Sequence, residues 1–274
     1  MRLDIPLQIA QCSKCGHVYQ CPQIDKSYGS EYYDAVYHGE CEDNAYWKPE
    51  NKLRHAEVLL ATLTKQCPNA KTVLEIGSGM GAFMHVAQNH GLEVVGTEIS
   101  EAGVLKAKEA FGIDLFCGPV EELEETEPFD VVVMWDVIEH CPRPDQVIAN
   151  VLERLSPSGK LLLTTGNYQS KDRIHSGEDW WCWDFDHYHY FHPATIERLA
   201  LNQGYREVKT ERVERIRSAE KLQRKKSPPP KNPWRHFNPL HLGRAIRWNC
   251  REMYAKSQWP DHYDIGIMLC SISK

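Results

Sequence analysis

The stretch Val73-Leu74-Glu75-Ile76-Gly77-Ser78-Gly79-Met80-Gly81 constrains this chain more than any other. An apolar run broken by one acid and followed by glycines on alternate positions reads as a buried strand, a tight turn and a helix start. Glycine is needed where the backbone takes positive φ or lies directly against a ligand, because no Cβ obstructs it. Gly77-x-Gly79-x-x-Ala82 also satisfies the loose dinucleotide fingerprint, so the glycines alone leave two nucleotide-type cofactors open. Glu75 leans away from the dinucleotide: a carboxylate there repels a pyrophosphate and attracts an ammonium group.

Around this loop strands and helices alternate. The pattern Leu53, Ala56, Leu59, Leu60, Leu63 predicts an amphipathic helix over 48–66, starting after Pro49 and stopping before Pro68. Strands are expected at 73–76, 93–98, 113–117, 129–135 and 160–165, with helices over 82–90, 102–111 and 145–155 between them. That succession means parallel strands joined by helical crossovers, with ligands beyond the carboxyl ends of the strands. A polar and aromatic loop follows, containing Trp180-Trp181-Cys182-Trp183 and Asp186-His187-Tyr188-His189-Tyr190-Phe191-His192. It leads to a helix over 193–202 and strands over 205–213 and 262–273.

These features resemble class I S-adenosylmethionine-dependent methyltransferases, whose first motif has the same acid-x-Gly-x-Gly-x-Gly form. The resemblance implies a Rossmann-like α/β fold: a seven-stranded, mostly parallel sheet with an antiparallel last strand. It assigns Gly77, Gly79 and Gly81 to the carboxypropyl part of S-adenosylmethionine and Glu75 to its ammonium group. Glu98, ending the second strand, is implied to accept hydrogen bonds from the ribose hydroxyls, with Ile99 beside the adenine. Pro119 stands where the family often carries an acid for the adenine amine, which leaves Val120 and Glu121 for that position. Asp136, after the fourth strand, is implied to face the methyl-donor cleft. Its spacing to Glu139 and His140 is similar to the E-x-x-E-H pattern of ubiquinone-biosynthesis O-methyltransferases, which can hold a divalent ion; in metal-free relatives a Glu-His pair only shapes the pocket. An oxygen or nitrogen acceptor has a proton to lose, and histidine suits that role. His187 and His140 are the expected bases, with His189 and His192 behind them. The aromatic loop reads either as a wall for a planar acceptor or as packing of the cap onto the sheet.

Residues 1–45 form a separate Cys/Tyr-rich leader. Cys12-Ser-Lys-Cys15-Gly is half of a zinc knuckle, because thiolates in a C-x2-C turn can share one tetrahedral ion. Some sugar and natural-product methyltransferases resemble this leader, with two such pairs in a zinc-binding head. Here one pair exists, so a structural zinc would need Cys21 and Cys41, or His17 or His38, beside Cys12 and Cys15; otherwise the head is shortened and its thiols are free. The ten cysteines are scattered, which fits a reduced compartment. No apolar run approaches the roughly eighteen residues needed to span a bilayer, and residues 1–6 lack a secretory signal, so a cytoplasmic protein is expected.

The formal charge of −6 hides an asymmetry. Residues 215–256 carry twelve Lys or Arg against two acids, a balance of +10 that leaves −16 for the remainder. The expected organisation is therefore a catalytic core over 46–214 plus 260–274, interrupted by a basic insertion at 215–259. Such an island favours phosphate-bearing partners: a phosphorylated or carrier-linked acceptor, anionic membrane contacted peripherally, or nucleic acid. No defined RNA-binding module is present in it. The expected function is methyl transfer from S-adenosylmethionine to a small-molecule acceptor such as a sugar, polyketide, quinone or polysaccharide precursor. The alternatives are an RNA or protein methyltransferase recruited through the insertion and a non-catalytic cofactor-binding partner subunit.

Overall fold

The computed structural model of the protein describes residues 8–23, 27–35, 37, 48–124, 127–212 and 267–274. The basic insertion and Cys41 lie outside the described residues. Seven strands form the main sheet: β3 (Thr72–Ile76), β4 (Glu93–Glu98), β5 (Phe116–Cys117), β6 (Phe129–Trp135), β7 (Leu155–Gly166), β9 (Glu207–Arg212) and β10 (Ile267–Ser273). Their order is β5-β4-β3-β6-β7-β10-β9, with β10 antiparallel to both neighbours and the β3–β7 pairings parallel. The Rossmann-like sheet with an antiparallel last strand expected from the sequence is present.

Both faces of the central strands are buried, which is why β6 is continuously apolar from Val131 to Trp135 rather than alternating. On one face Leu74, Ile76, Val132, Met134, Leu161 and Leu163 pack against α5 (Pro144–Arg154) and α7 (Pro193–Asn202). On the other, Val73, Val131, Val133 and Leu162 meet α2 (Pro49–Gln66) and α3 (Ala82–Asn89). α2 begins at Pro49, where proline's missing N–H costs nothing, and buries Ala56, Leu59, Leu60 and Leu63 on one stripe. α4 (Glu101–Phe111) starts on Ser100, whose hydroxyl accepts from Gly103 N, and ends at Gly112 in the left-handed region.

Two strands differ most from their expected spans. β5 is two residues long, because it pairs with β4 only at Thr97↔Phe116 and Glu98↔Cys117. β7 begins at Leu155 rather than at Lys160, opposite Phe129, and its register then slips so that Val131 faces Lys160. Pro157 cannot donate to a ladder, and the Ser156–Gly159 segment takes up the slip.

Close packing at Gly96 in β4 gives a direct test. A Cβ there would meet Met84 Sδ and lie 2.5 Å from Ser78 Oγ and 2.7 Å from Leu115 Cδ2. Gly96→Ala is expected to cost about 1–3 kcal/mol by overpacking, read as a fall in thermal midpoint of about 2–4 °C per kcal/mol; an unchanged midpoint would contradict the packing described.

The leader joins the core through a second sheet. β1 (Ile9–Gln11) and β2 (Val18–Gln20) form a hairpin, and β2 pairs with β8 (His189–Tyr190) inside the aromatic loop. Val18, Trp180, Cys182 and Tyr190 make a small apolar core beneath it. Trp180 therefore cements leader to loop, as in the packing reading of the tryptophans. α1 (Ser27–Ala35) docks on α4, where Asp34 Oδ1 accepts from Ser100 Oγ at 2.6 Å and Ala102 N at 3.2 Å. Among the described residues no helix is long and apolar enough to cross a membrane.

Candidate active site

The glycine loop leaves β3 with three residues in the left-handed region, Gly77 (φ 70°), Gly79 (φ 54°) and Gly81 (φ 72°). Their open faces differ. A Cβ on Gly77 would lie 2.7 Å from Val137 Cγ2, and one on Gly79 would lie 2.9 Å from the hydroxyl of Tyr37 in the leader. Gly81 instead faces Ala107 and Ile113, so it admits close packing of α4 against the loop. Gly77 N and Ser78 N both donate to Thr97 O at 2.9 Å, which ties the loop to β4.

Two carboxylates flank this loop. Glu75 is 4% exposed and its Oε2 has no hydrogen-bond partner. Burial raises its carboxyl well above the ordinary value; the Ser78 hydroxyl opposes the shift and Glu98 adds to it. Glu98 is also buried, but its oxygens are held: Oε2 accepts from Gly79 N at 2.8 Å and Oε1 from Ser100 N at 3.0 Å. Each carboxylate oxygen keeps a second lone pair for another donor. Ile99, beside it, is an exposed large apolar side chain, whereas Val120 is buried in the main core.

Across the sheet, β6 ends at Asp136, a non-glycine residue at φ 56°. Its backbone N donates to Thr164 O at 3.1 Å, and its Oδ1 accepts from Thr164 Oγ1 at 2.8 Å, so Asp136 is anchored to β7. A short 3-10 turn over Ile138–His140 then brings Glu139 and His140 inward. His140 Nδ1 lies 2.9 Å from Tyr33 Oη, 3.1 Å from Asp186 O and 3.2 Å from Asp186 Oδ2. Tyr33 in turn donates to Asp186 Oδ2 at 2.9 Å. The proton on His140 is therefore at Nδ1. Burial disfavours its charged form, but the hydrogen bond and charge of Asp186, with Glu139 nearby, outweigh that and raise it to about 9. Asp186 is held below the usual carboxylate range: burial works against this, and His140 prevails.

His187 sits with its ring centroid 4.6 Å from that of His140. Its Nδ1 donates to Cys182 O at 2.7 Å, which leaves the lone pair on Nε2. Burial and the charge of His140 lower it to about 4, so it is neutral at pH 7. Burial raises Glu139 to about 7 against the pull of His140, and its Oε2 is buried with no partner. Tyr188 N donates to Glu139 O at 2.9 Å and holds the aromatic loop against this turn.

A profile described as "Methyltransferase domain" matches residues 46–210. The chain belongs to the methyltransferase family. Similar curated proteins include a ubiquinone biosynthesis O-methyltransferase of Coxiella burnetii strain Dugway, 25% identical over 179 residues, covering 59% of this chain and 76% of that protein. One of the same name from Idiomarina loihiensis is 30% identical over 108 residues, covering 37% of this chain and 44% of that protein. Among solved structures, a Haemonchus contortus phosphoethanolamine N-methyltransferase 2, in complex with phosphomonomethylethanolamine and S-adenosylhomocysteine, superposes with a TM-score of 0.57 at 18% identity. It covers 88% of this chain and 66% of that one. A SAM-dependent methyltransferase from Archaeoglobus fulgidus gives 0.53 at 20% identity, over 84% and 100% of the two chains.

The methyltransferase is thus of the class that uses S-adenosylmethionine, and its residues fit that cofactor. An orphaned buried acid at Glu75 suits an ammonium group, the faces of Gly77 and Gly79 lack Cβ atoms, and Glu98 has acceptor capacity for a diol. Of the other sequence-derived candidates, His140 and His187 come together, and Asp136 accepts from Thr164 Oγ1 through Oδ1. Cys12 and Cys15 lie in the β1–β2 turn, where backbone N–H groups of Cys15 and Lys14 lower the Cys12 thiol. Cys21 is exposed just beyond β2. His189 and His192 sit instead at the leader hairpin, His189 bonded to His17 at 3.0 Å.

Tyr33, Asp34, Tyr37 and Asp186 were not picked out as site residues by sequence reading. The signals were present, in the tyrosine-rich leader and in the acid preceding His187, but their partners are far away in the chain.

Proposed function

We propose that the protein transfers a methyl group from S-adenosylmethionine to an oxygen of a small-molecule acceptor, bound beside Tyr33, Glu139, His140 and His187. The observation that carries this reading is the pairing of a protonated imidazole, His140 on Asp186, with a neutral one, His187, whose Nε2 is free to take a proton. The cofactor supplies an electrophilic methyl group. The chain's own residues orient the acceptor, exclude water and lower the cost of the oxyanion, since much of this catalysis is proximity. The ubiquinone-biosynthesis names of the relatives support a hydroxylated aromatic or quinone-like acceptor. The excess of basic residues over 215–256 supports one that also carries a phosphate or carrier group.

The test is calorimetry with S-adenosylhomocysteine, followed by mass analysis of products from a panel of catechols, sugars, aminoalcohol phosphates and RNA. Binding plus a 14-Da gain on a catechol-type hydroxyl is the expected result, in order-of-magnitude yield above a no-enzyme control. Methylation of RNA alone, or of amines alone, would overturn the acceptor assignment; absence of cofactor binding would overturn the reading altogether.

A further inference from the structure

Glu98 is bonded through both of its oxygens to residues that the leader covers. Its Oε1 accepts from Ser100 N, and the Ser100 hydroxyl donates in turn to Asp34 Oδ1. Its Oε2 accepts from Gly79 N, and the open face of Gly79 lies under the hydroxyl of Tyr37. We infer that α1 and Tyr37 form a cover over the cofactor pocket, latched by Asp34, and that S-adenosylmethionine enters and leaves when this latch is released. The inference rests on the assignment of Glu98 and the glycine loop to that cofactor.

The seat of the cover is built into the residues beneath it. Tyr37 is 5% exposed and packs with Met80 of the glycine loop and Ala102 of α4. Its ring crosses from one to the other: a Cβ on Gly103 would lie 3.1 Å from Tyr37 Cε2, and one on Gly79 would lie 2.9 Å from the hydroxyl. Gly103 is a helical residue, and glycine weakens a helix, so the position calls for a packing reason. The reason is the Tyr37 ring together with Glu98 Cγ, which a Cβ there would also approach to 3.1 Å. Asp34 completes the seat. Its Oδ1 accepts from Ala102 N as well, an orphan donor in the first turn of α4, where the helix dipole favours a carboxylate.

The need to open follows from burial. Glu98 is 6% exposed beneath these contacts, and a ribose diol has to reach its remaining lone pairs. Gly79, Glu98 and Ser100 are held by the glycine loop, β4 and the start of α4, whereas α1 docks on them through side chains and is the part that can lift. Lifting breaks both bonds to Asp34 and withdraws the Tyr37 ring from Gly79. Motions of this kind set the exchange rate of a bound ligand.

Tritiated S-adenosylmethionine bound to the full-length protein is chased with excess S-adenosylhomocysteine, and its dissociation rate is read by filter retention. Asp34→Ala is expected to speed dissociation at least about tenfold, the scale of one lost hydrogen bond to a charged group, with the association rate changing far less. Asp34→Asn keeps an acceptor oxygen and should recover most of that loss. Tyr37→Ala should move the rate in the same direction, and Tyr37→Phe, which keeps the ring, should move it less. Backbone hydrogen exchange over 31–35 should slow when S-adenosylhomocysteine is bound, a readout that simple packing of α1 on α4 would not move. Dissociation as slow as in the wild type for both alanine variants, or exchange over 31–35 indifferent to the ligand, would overturn the inference. Failure of the wild-type protein to bind either ligand would instead overturn the cofactor assignment, and the inference with it.

Discussion

Glu75→Gln is expected to move two measurements in opposite directions. Cofactor affinity should fall, because a charge-assisted hydrogen bond to the ammonium group contributes roughly 1.5–3 kcal/mol, about 10–150-fold in Kd. The cofactor-free protein should become more stable. Its Glu75 is buried beside Glu98 with one oxygen unpartnered, and burial raises its carboxyl well above the ordinary 4.5. A carboxyl raised on folding contributes fully below its unfolded value and loses that contribution as pH climbs through its folded value. The wild-type protein without cofactor should therefore weaken as pH rises above about 4.5, and the glutamine variant should lack that part of the slope. Relief of an unsatisfied buried acid on the order of 1 kcal/mol corresponds to about 2–4 °C in the thermal midpoint near neutral pH. Melting curves with and without S-adenosylhomocysteine decide the matter. A variant that melts lower in both states would show that Glu75 is a structural residue, not a cofactor ligand held in reserve.

His140→Ala should leave cofactor binding within about twofold and reduce kcat/KM by about 10²–10⁴, the range for a positioned acid or base. Its ring is the meeting point of Tyr33, Asp186 and His187, so its removal also frees Asp186 from the partner that keeps it ionised. Asp186 acts through His140 and is a positioning residue; Asp186→Asn should produce a smaller loss. Rates measured at saturating cofactor, with calorimetry on the same preparations, separate the acceptor half from the donor half. A drop in cofactor affinity equal to the drop in kcat/KM would place His140 in the wrong half.

The proposed donor half is legible in sequence because its requirements are local. Gly77, Gly79 and Glu98 serve a turn and a strand end, and the sheet that carries them follows from uninterrupted apolar runs such as Val131–Trp135. The acceptor half was legible only in its parts. His140 and His187 stood out as histidines near strand ends, but what distinguishes them is through-space: Tyr33 is 107 residues from His140 and 153 from Asp186. A charged imidazole and a neutral one have the same letter in a sequence, and burial with a particular neighbour sets the difference. β8 is silent in the sequence because two residues carry no periodicity; it is a strand only because the leader hairpin lies against it. Asp136 is read from its spacing as facing the methyl-donor cleft; what the spacing does not show is that its Oδ1 also accepts from Thr164 at a left-handed turn.

The hairpin of β1 and β2 has a history as well as a position. Val18 pairs with Tyr190, and His17 bonds to His189, 172 residues further along. At a synthesis rate of roughly 5–20 residues per second, the hairpin leaves the ribosome on the order of ten to thirty seconds before its partner strand exists. Over that interval the outer edge of β2 lacks its β8 partner, so the hairpin is set against the core only after the aromatic loop has been made.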